Sequence, residues 1–431
     1  MLSADAEMCR PATDVRRGVR VYRRGVCSYN PDVMSAHLPT IDSFSIGRCP
    51  RLSFGVGARN GLAALLRDAG VSRAGIITGA RSLRVSPAWR QLQAQLRDAG
   101  LEWVDFALDG EPGPAFVDQV AAELRRIEAQ AVIAIGGGSS IDAGKAAAAA
   151  FHLHGPVADY LEGVGTRVPD GRSLPLYALP TTGGTGTEAT RNAVLSEIGE
   201  RGFKKSLRHE NYAPVAAIVD PELAVGCPAS VTAASGMDAI TQLIESYVST
   251  TAAPFTDALA ESGLLWAGRC IERAVHDGSD IEARAGMAYA AYLSGICLAN
   301  AGLGIVHGAA SPAGAALTIP HGVFCGTLLG ASVRFTLERL DPHNAAHAVA
   351  RRKYARIGVL LSGRDRGADD DNAAALVGEL ARLTDAIGIP RLGCYGFGVE
   401  TARAVAFATS GKSHPVELDA AAVEAMLLSR L

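Results

Sequence analysis

A chain of 431 residues is too long for one ordinary core, so two domains are the first expectation. Hydrophobic residues make up 48% of it and charged residues 20%, a balance that suits a soluble protein with ample material to bury. The formal net charge of −3 gives no general reason to bind nucleic acid or an anionic membrane. No apolar run is long enough to span a bilayer; the Ala-rich stretch after Lys145 comes nearest, and His152 and His154 interrupt it. The opening MLSADAEMCR lacks a basic region followed by an apolar core, so no secretory signal is read and a cytoplasmic location is expected. The cysteines (Cys9, Cys27, Cys49, Cys227, Cys270, Cys297, Cys325 and Cys394) are scattered, with no C-x-x-C pair, and read as free thiols.

Residues 1–40 carry the basic doublets Arg16-Arg17 and Arg23-Arg24 with little apolar periodicity. They read as an N-terminal extension: a tail, a strap across a subunit interface, or a docking segment for an acidic or peptide partner. From about residue 50 strands alternate with helices. RLSFGVGA is a short strand and GLAALLRDAG a helix stopped by glycine. AGIITG, LEWVDFAL and AVIAIGGG are further strands, separated by the helices SPAWRQLQAQLRDAG and FVDQVAAELRRIEAQ. PLYALPTT and VAAIVD add two more strands, and the alternation implies a parallel sheet. After Asp220-Pro221 helices take over, with apolar residues three and four apart. The division is therefore an extension (1–40), an α/β domain (41–221) and a helical domain (222–431), with a ligand cleft expected between the last two.

Three segments carry chemistry. Gly136-Gly137-Gly138-Ser139-Ser140-Ile141-Asp142 ends a strand, so its backbone can approach a ligand and the next helix can offer free N–H groups to phosphate. A tight packing turn is the plain alternative. Leu179 to Glu188, LPTTGGTGTE, sets hydroxyls and glycines at another strand end, a surface for ribose, phosphate or carboxamide. Asp238 and Gln242 lie four apart on one helix face, while His307 in GLGIVHG and His321 in IPHG stand on separate elements that can converge. A carboxylate and two imidazoles suit a divalent metal; satisfied core or helix-end histidines explain the spacing as well.

In succession GGGSSIDAGK, LPTTGGTGTEAT, IVDPEL, GMDAITQLIE, PFTDAL, AGLGIVHG and IPHG resemble the iron-containing, or group III, alcohol dehydrogenase family. The resemblance runs from about Phe54 to the C-terminus, roughly seven eighths of the chain. It implies an α/β dinucleotide-binding domain followed by an all-helical catalytic and metal domain, the fold shared with dehydroquinate synthase. It also implies hydride transfer between nicotinamide and an alcohol or carbonyl, and a homodimer. Gly137, Gly138 and Ser139 would hold the pyrophosphate, with Asp142 near the nicotinamide end. Thr181, Thr182 and Thr187 would line the cofactor cleft, and Lys204 matches a lysine directed at the cofactor ribose.

Three departures stand out. The family's metal cage is Asp, a His four residues later, and the histidines of VHG and PHG; Gln242 takes the place of the first histidine. Asp238, His307 and His321 remain, with the weak amide Gln242, as ligands for iron or zinc. Without metal, His307 or His321 would act as general base and oxyanion partner, oriented by Asp238. Ser311 stands where the family often has a histidine that relays protons. Gly79, in AGIITGARSL, replaces an acidic residue that bonds the adenosine ribose. A 2′-phosphate then meets no repulsion and Arg81 is placed to pair with it, so NADP(H) is expected ahead of NAD(H).

The implied activity is an NAD(P)-dependent alcohol dehydrogenase or carbonyl reductase acting on a small or mid-sized substrate. The alternative is a tailoring oxidoreductase of specialised metabolism that oxidises a β-hydroxy acid or peptide end, with decarboxylation. The basic N-terminus and the altered cage motivate it. PFTDAL and the VHG and PHG signatures argue against a sugar cyclase, and the intact cofactor motifs against a redox-dead binding protein.

Overall fold

Short apolar runs bounded by glycine and proline become a parallel sheet in a computed structural model, which describes residues 41–197 and 202–431. The N-terminal extension, with its basic doublets, Cys9 and Cys27, lies outside the described residues. Strand β1 (Arg51–Phe54) is followed by helix α1 (Leu62–Asp68) and strand β2 (Arg73–Gly79). Then come α2 (Ser82–Val85), α3 (Pro87–Asp98) and β3 (Glu102–Leu108). Helix α3 starts where Pro87 occupies its first turn and the Ser86 side chain accepts from the Trp89 N–H. Helix α4 (Pro114–Arg126), β4 (Ala131–Gly136), α5 (Gly138–Ala150) and β5 (Leu176–Pro180) follow. After the hairpin β6 (Asn192–Glu197) and β7 (Phe203–Arg208), strand β8 (Ala216–Val219) closes the sheet.

The six strands run in the order β1-β8-β5-β4-β2-β3, every pair parallel. Parallel sheets need cover on both faces, which is why β4 and β5 are continuous apolar runs buried along their whole length. Their carboxyl ends, Gly136 and Pro180, lie side by side in register. In an open sheet of this type a ligand binds outside that edge. The antiparallel β6–β7 pair was not foreseen; its period-two burial hides in the short segment NAVLSE, and it carries Lys204.

The helical half comprises α6 (Ala229–Tyr247), α7 (Pro254–His276), α8 (Ile281–Ala301), α9 (Ile305–Ala316) and α10 (His321–Leu337). It continues through α11 (Ala345–Ser362), α12 (Asp369–Ala386), α13 (Val399–Ala408) and α14 (Ala420–Leu428). Ile240, Leu264, Ile271, Met287 and Leu380 anchor one core, while Phe324, Leu328, Val405 and Met426 anchor another under α9 and α10. No single described helix is long and apolar enough to cross a membrane.

Residues 43–431 form one compact unit, so both walls of the cleft belong to it. The halves touch backbone to backbone where Gly186, in the loop after β5, lies on Gly295 of α8. A Cβ on Gly295 would stand 2.0 Å from the Gly186 carbonyl oxygen, and Gly186 itself has a left-handed φ of 60°. Neither position has room for a side chain.

Candidate active site

Helices α6, α9 and α10 bring four side chains to one point. Gly302, at φ 70°, ends α8 and lets the chain turn by 97° into α9, so that His307 enters in the first turn. Pro320 precedes α10 and sets His321 as its first residue; Cys325 follows one turn later on the same face. Asp238 Oδ1 lies 3.3 Å from His307 Nε2 and 3.5 Å from His321 Nε2. Cys325 Sγ lies 3.8 Å from His307 Nε2 and 3.7 Å from His321 Nε2. All four ligand atoms fall within 4.8 Å of one another. Asp238, His307 and Cys325 are buried, whereas the His321 side chain keeps 33% of its exposure and marks the open side.

The residues fit a divalent cation. Bonds of about 2.0–2.3 Å to nitrogen, oxygen and sulfur put tetrahedral ligands about 3.3–3.8 Å apart, the spacing of the four pairs that join Asp238 or Cys325 to an imidazole. Asp238 Oδ1 is enclosed and makes no hydrogen bond of good geometry, so its buried charge is answered within the chain by the two imidazoles of the cluster alone. Burial alone would raise the Asp238 and Glu245 carboxyls, but the neighbouring imidazoles hold both below the usual carboxylate range. Burial likewise works against charge on His307, yet Cys325, Asp238 and Glu245 raise its pKa well above the ordinary histidine value.

Gln242, expected from the sequence as a weak ligand, lines the same cleft with its amide engaged at both ends. A carboxylate only accepts, so the Gln242 NH2 must face Asp238 Oδ2, at 3.1 Å, leaving Oε1 to accept from Ser294 Oγ at 2.7 Å. Gln242 therefore orients the carboxylate from behind. Glu245, unnoticed in the sequence, does the same for His307: Oε2 is 2.6 Å from Nδ1, while Oε1 accepts from the Val306 N–H at 2.7 Å. That leaves Nε2 pointing into the cluster, the arrangement by which carboxylates fix metal-binding histidines. Gly304 makes room for it, since a Cβ there would stand 2.9 Å from Glu245 Oε1. The signal was present in the sequence: Asp238, Gln242 and Glu245 stand at i, i+4 and i+7 of one helix.

A cleft of about 480 Å³ runs from this cluster to the sheet edge, and Gly138, Ser139, Asp142, Thr187, Lys204, Ser311 and Lys412 contribute to its walls. Gly137 caps α5 without a side-chain acceptor, leaving the leading N–H groups of the helix toward the cleft. Asp142 is already bonded, accepting from Thr187 Oγ1 and, at 3.1 Å, from the Val194 N–H. The buried Lys145 ammonium ties α5 to the threonine loop through Thr187 and Thr190, at 2.6 and 2.8 Å. Thr181 and Thr182 sit beside Gly136 and Gly137 at the strand ends, outside the residues lining the cleft. Lys204 lines it but is held by Glu111. Gly79 ends β2 close to Ser140, and Arg81 is turned outward, 3.0 Å from Asp109.

Residues 49–221 match the family described as iron-containing alcohol dehydrogenase, and residues 232–430 match its C-terminal region. The chain belongs to the iron-containing alcohol dehydrogenase family. It is 38% identical over 271 residues to the probable alcohol dehydrogenase EutG of Escherichia coli (strain K12), covering 63% of this chain and 65% of that protein. The match thus spans a little less than two thirds of that relative's length. The NAD-dependent methanol dehydrogenase of Bacillus methanolicus is 36% identical over 276 residues, 64% of this chain and 71% of that one. The crystal structure of a 1,3-propanediol oxidoreductase superposes with a TM-score of 0.82 at 30% identity, covering 90% of this chain and 100% of its own.

Within this alcohol dehydrogenase fold the threonine loop carries another buried carboxylate. Burial pushes Glu188 up to about 7, with Lys145 opposing and Asp142 adding to the rise. A rise from 4.5 to about 7 corresponds to about 3 kcal/mol. Because the folded-state pKa lies above the unfolded one, this contribution favours folding below pH 4.5 and is lost as pH rises through about 7. Urea unfolding at pH 5 and pH 8 checks it: Glu188→Gln should shrink the loss of stability between them by about 3 kcal/mol. An unchanged difference would mean that Glu188 ionises normally in the folded protein.

Proposed function

We propose that the chain is a nicotinamide-dependent alcohol dehydrogenase, moving hydride between the coenzyme and a small or mid-sized alcohol or carbonyl compound. One observation carries the reading: a single cleft is lined both by the N-terminus of α5 and by Asp238, His307 and His321. Free N–H groups and the helix dipole suit a pyrophosphate, and the coenzyme's other end then extends toward the histidines. Asp238, His307 and His321 would hold a divalent cation, whose Lewis acidity would ease loss of the hydroxyl proton as hydride departs. The chain's own groups fix that geometry: Glu245 holds the His307 ring, and Gln242 holds the Asp238 carboxylate. Leu298, Ala299, Leu303 and Ala310 give the cleft an apolar wall that suits the carbon skeleton of an alcohol.

The name of the Bacillus methanolicus relative supports a nicotinamide coenzyme. Between the two coenzymes the reading is NADP(H) first and NAD(H) second. Gly79 offers no carboxylate to repel a 2′-phosphate, and Arg81 stands exposed in a pair with Asp109 that is weak enough to exchange. Titration with NADH and NADPH, followed by nicotinamide fluorescence, should show binding of both and tighter binding of NADPH. Arg81→Ala should erase the difference while keeping the NADH affinity. Binding of neither would sink the dehydrogenase reading, and tighter NADH binding would reverse the preference.

A second reading, oxidation of a β-hydroxy acid with loss of CO2, has one observation in its favour, although no relative named above is named for such a substrate. Lys412 lines the cleft with its ammonium 3.5 Å from the His307 carbonyl oxygen, the one hydrogen bond that the ammonium makes among the described residues. It sits at φ 48°, a left-handed backbone that non-glycine residues seldom adopt. An ammonium so placed favours a substrate carboxylate. Lys412→Gln should raise KM for hydroxy acids about tenfold more than for simple alcohols of equal length. Equal effects on both would remove this reading.

A further inference from the structure

The family's cage asks for a fourth ligand at the place of Gln242, and the amide there faces Ser294 instead. On the other side of the cluster, α10 supplies a sulfur. We propose that Cys325 is a metal ligand, completing with Asp238, His307 and His321 a four-residue cation site to which Gln242 does not contribute. This rests on the reading above that the cluster holds a divalent cation.

Donor and acceptor counting supports it. Glu245 accepts at His307 Nδ1, so in the neutral ring the proton is there and Nε2 carries a lone pair. In that neutral ring Nε2 and Asp238 Oδ1, 3.3 Å apart, are two acceptors that either a proton on Nε2 or a cation between them must bridge. A neutral Cys325 thiol has one proton to offer, and it cannot serve Asp238 and both imidazoles at once. Among the described residues the sulfur's hydrogen-bonding neighbours are the two Nε2 atoms, at 3.8 and 3.7 Å. A cation at the centre meets both lone pairs, the carboxylate and the sulfur at once. On binding, the S–H bond breaks, the sulfur–metal bond forms, and the proton leaves to solvent. Spacing explains the geometry: His321 and Cys325 are one helical turn apart, so both project to the same side of α10. Carboxylate, two imidazoles and thiolate make a softer set than carboxylate and imidazoles alone, and thiolate selects zinc. The inference is therefore a zinc-preferring site in a family named for iron.

The test uses the full chain, stripped with chelator and reloaded with Co(II). A near-ultraviolet thiolate-to-Co(II) absorption band is expected at one Co(II) per chain. Cys325→Ser should lose that band, while Cys394→Ser, at an exposed cysteine, should keep it. Bound Co(II) without the band, or a band that survives Cys325→Ser, would overturn the assignment. Should Cys325→Ser fail to fold, X-ray absorption of the zinc-loaded wild type decides: one sulfur at about 2.3 Å supports the proposal, and a shell of nitrogen and oxygen alone refutes it. A protein that binds NADPH and oxidises alcohols with a sulfur-free shell refutes Cys325 alone. A protein that takes up no cation refutes the reading beneath it.

Discussion

A buried carboxylate is costly unless its charge is answered, and the Asp238 oxygen that faces the cluster makes no hydrogen bond of good geometry. The surroundings point two imidazole nitrogens and a sulfur at the same place, a donor set that suits a divalent cation. Much of the helical half exists to hold that geometry. Gln242 and Ser294 restrain the back of the carboxylate, and Glu245 restrains the back of His307. Each restraint is a polar group that burial would penalise unless it were bonded, so the network is closed everywhere except at its centre.

Backbone fit matters as much as the side chains. Gly302 turns the chain sharply into α9, and Gly304 leaves the space into which Glu245 reaches. The Gly186–Gly295 contact locks the threonine loop against α8, and Lys145 ties the same loop to α5. The end of the cleft at the α5 N-terminus, proposed for the pyrophosphate, and the end at the histidine cluster, proposed for a cation, are thereby tied to each other by direct contacts. Hydride transfer needs that kind of fixed separation, because small misplacements of reacting atoms are expensive.

The alternation of apolar runs with amphipathic helices made the parallel sheet legible, and the change to helices was visible after Asp220. Glycines and hydroxyls at strand ends likewise pointed to the sheet edge on which the cleft opens. The β6–β7 pair escaped because six-residue strands with half-polar faces look like loop. Asp238, His307 and His321 were readable as chemistry, but which atoms meet was not. Gln242 sits at the expected ligand spacing with its amide engaged at both ends, its hydrogens drawn to Asp238 and its oxygen to Ser294. Glu245 and Cys325 were each one or two helical turns from a chosen residue, a spacing that sequence shows plainly. What sequence withheld was that α6 and α10 would turn those faces toward each other. Arg81 was read alone, whereas its partner Asp109 arrives from the next strand of the sheet.

The central claim is that a divalent cation answers the Asp238 charge and is needed for turnover. Metal content and alcohol oxidation measured on the same purified samples, across stepwise chelation and reloading, test it directly. The account predicts one divalent ion per chain, with activity falling and recovering in proportion to it. Full turnover by protein with negligible bound metal would contradict it.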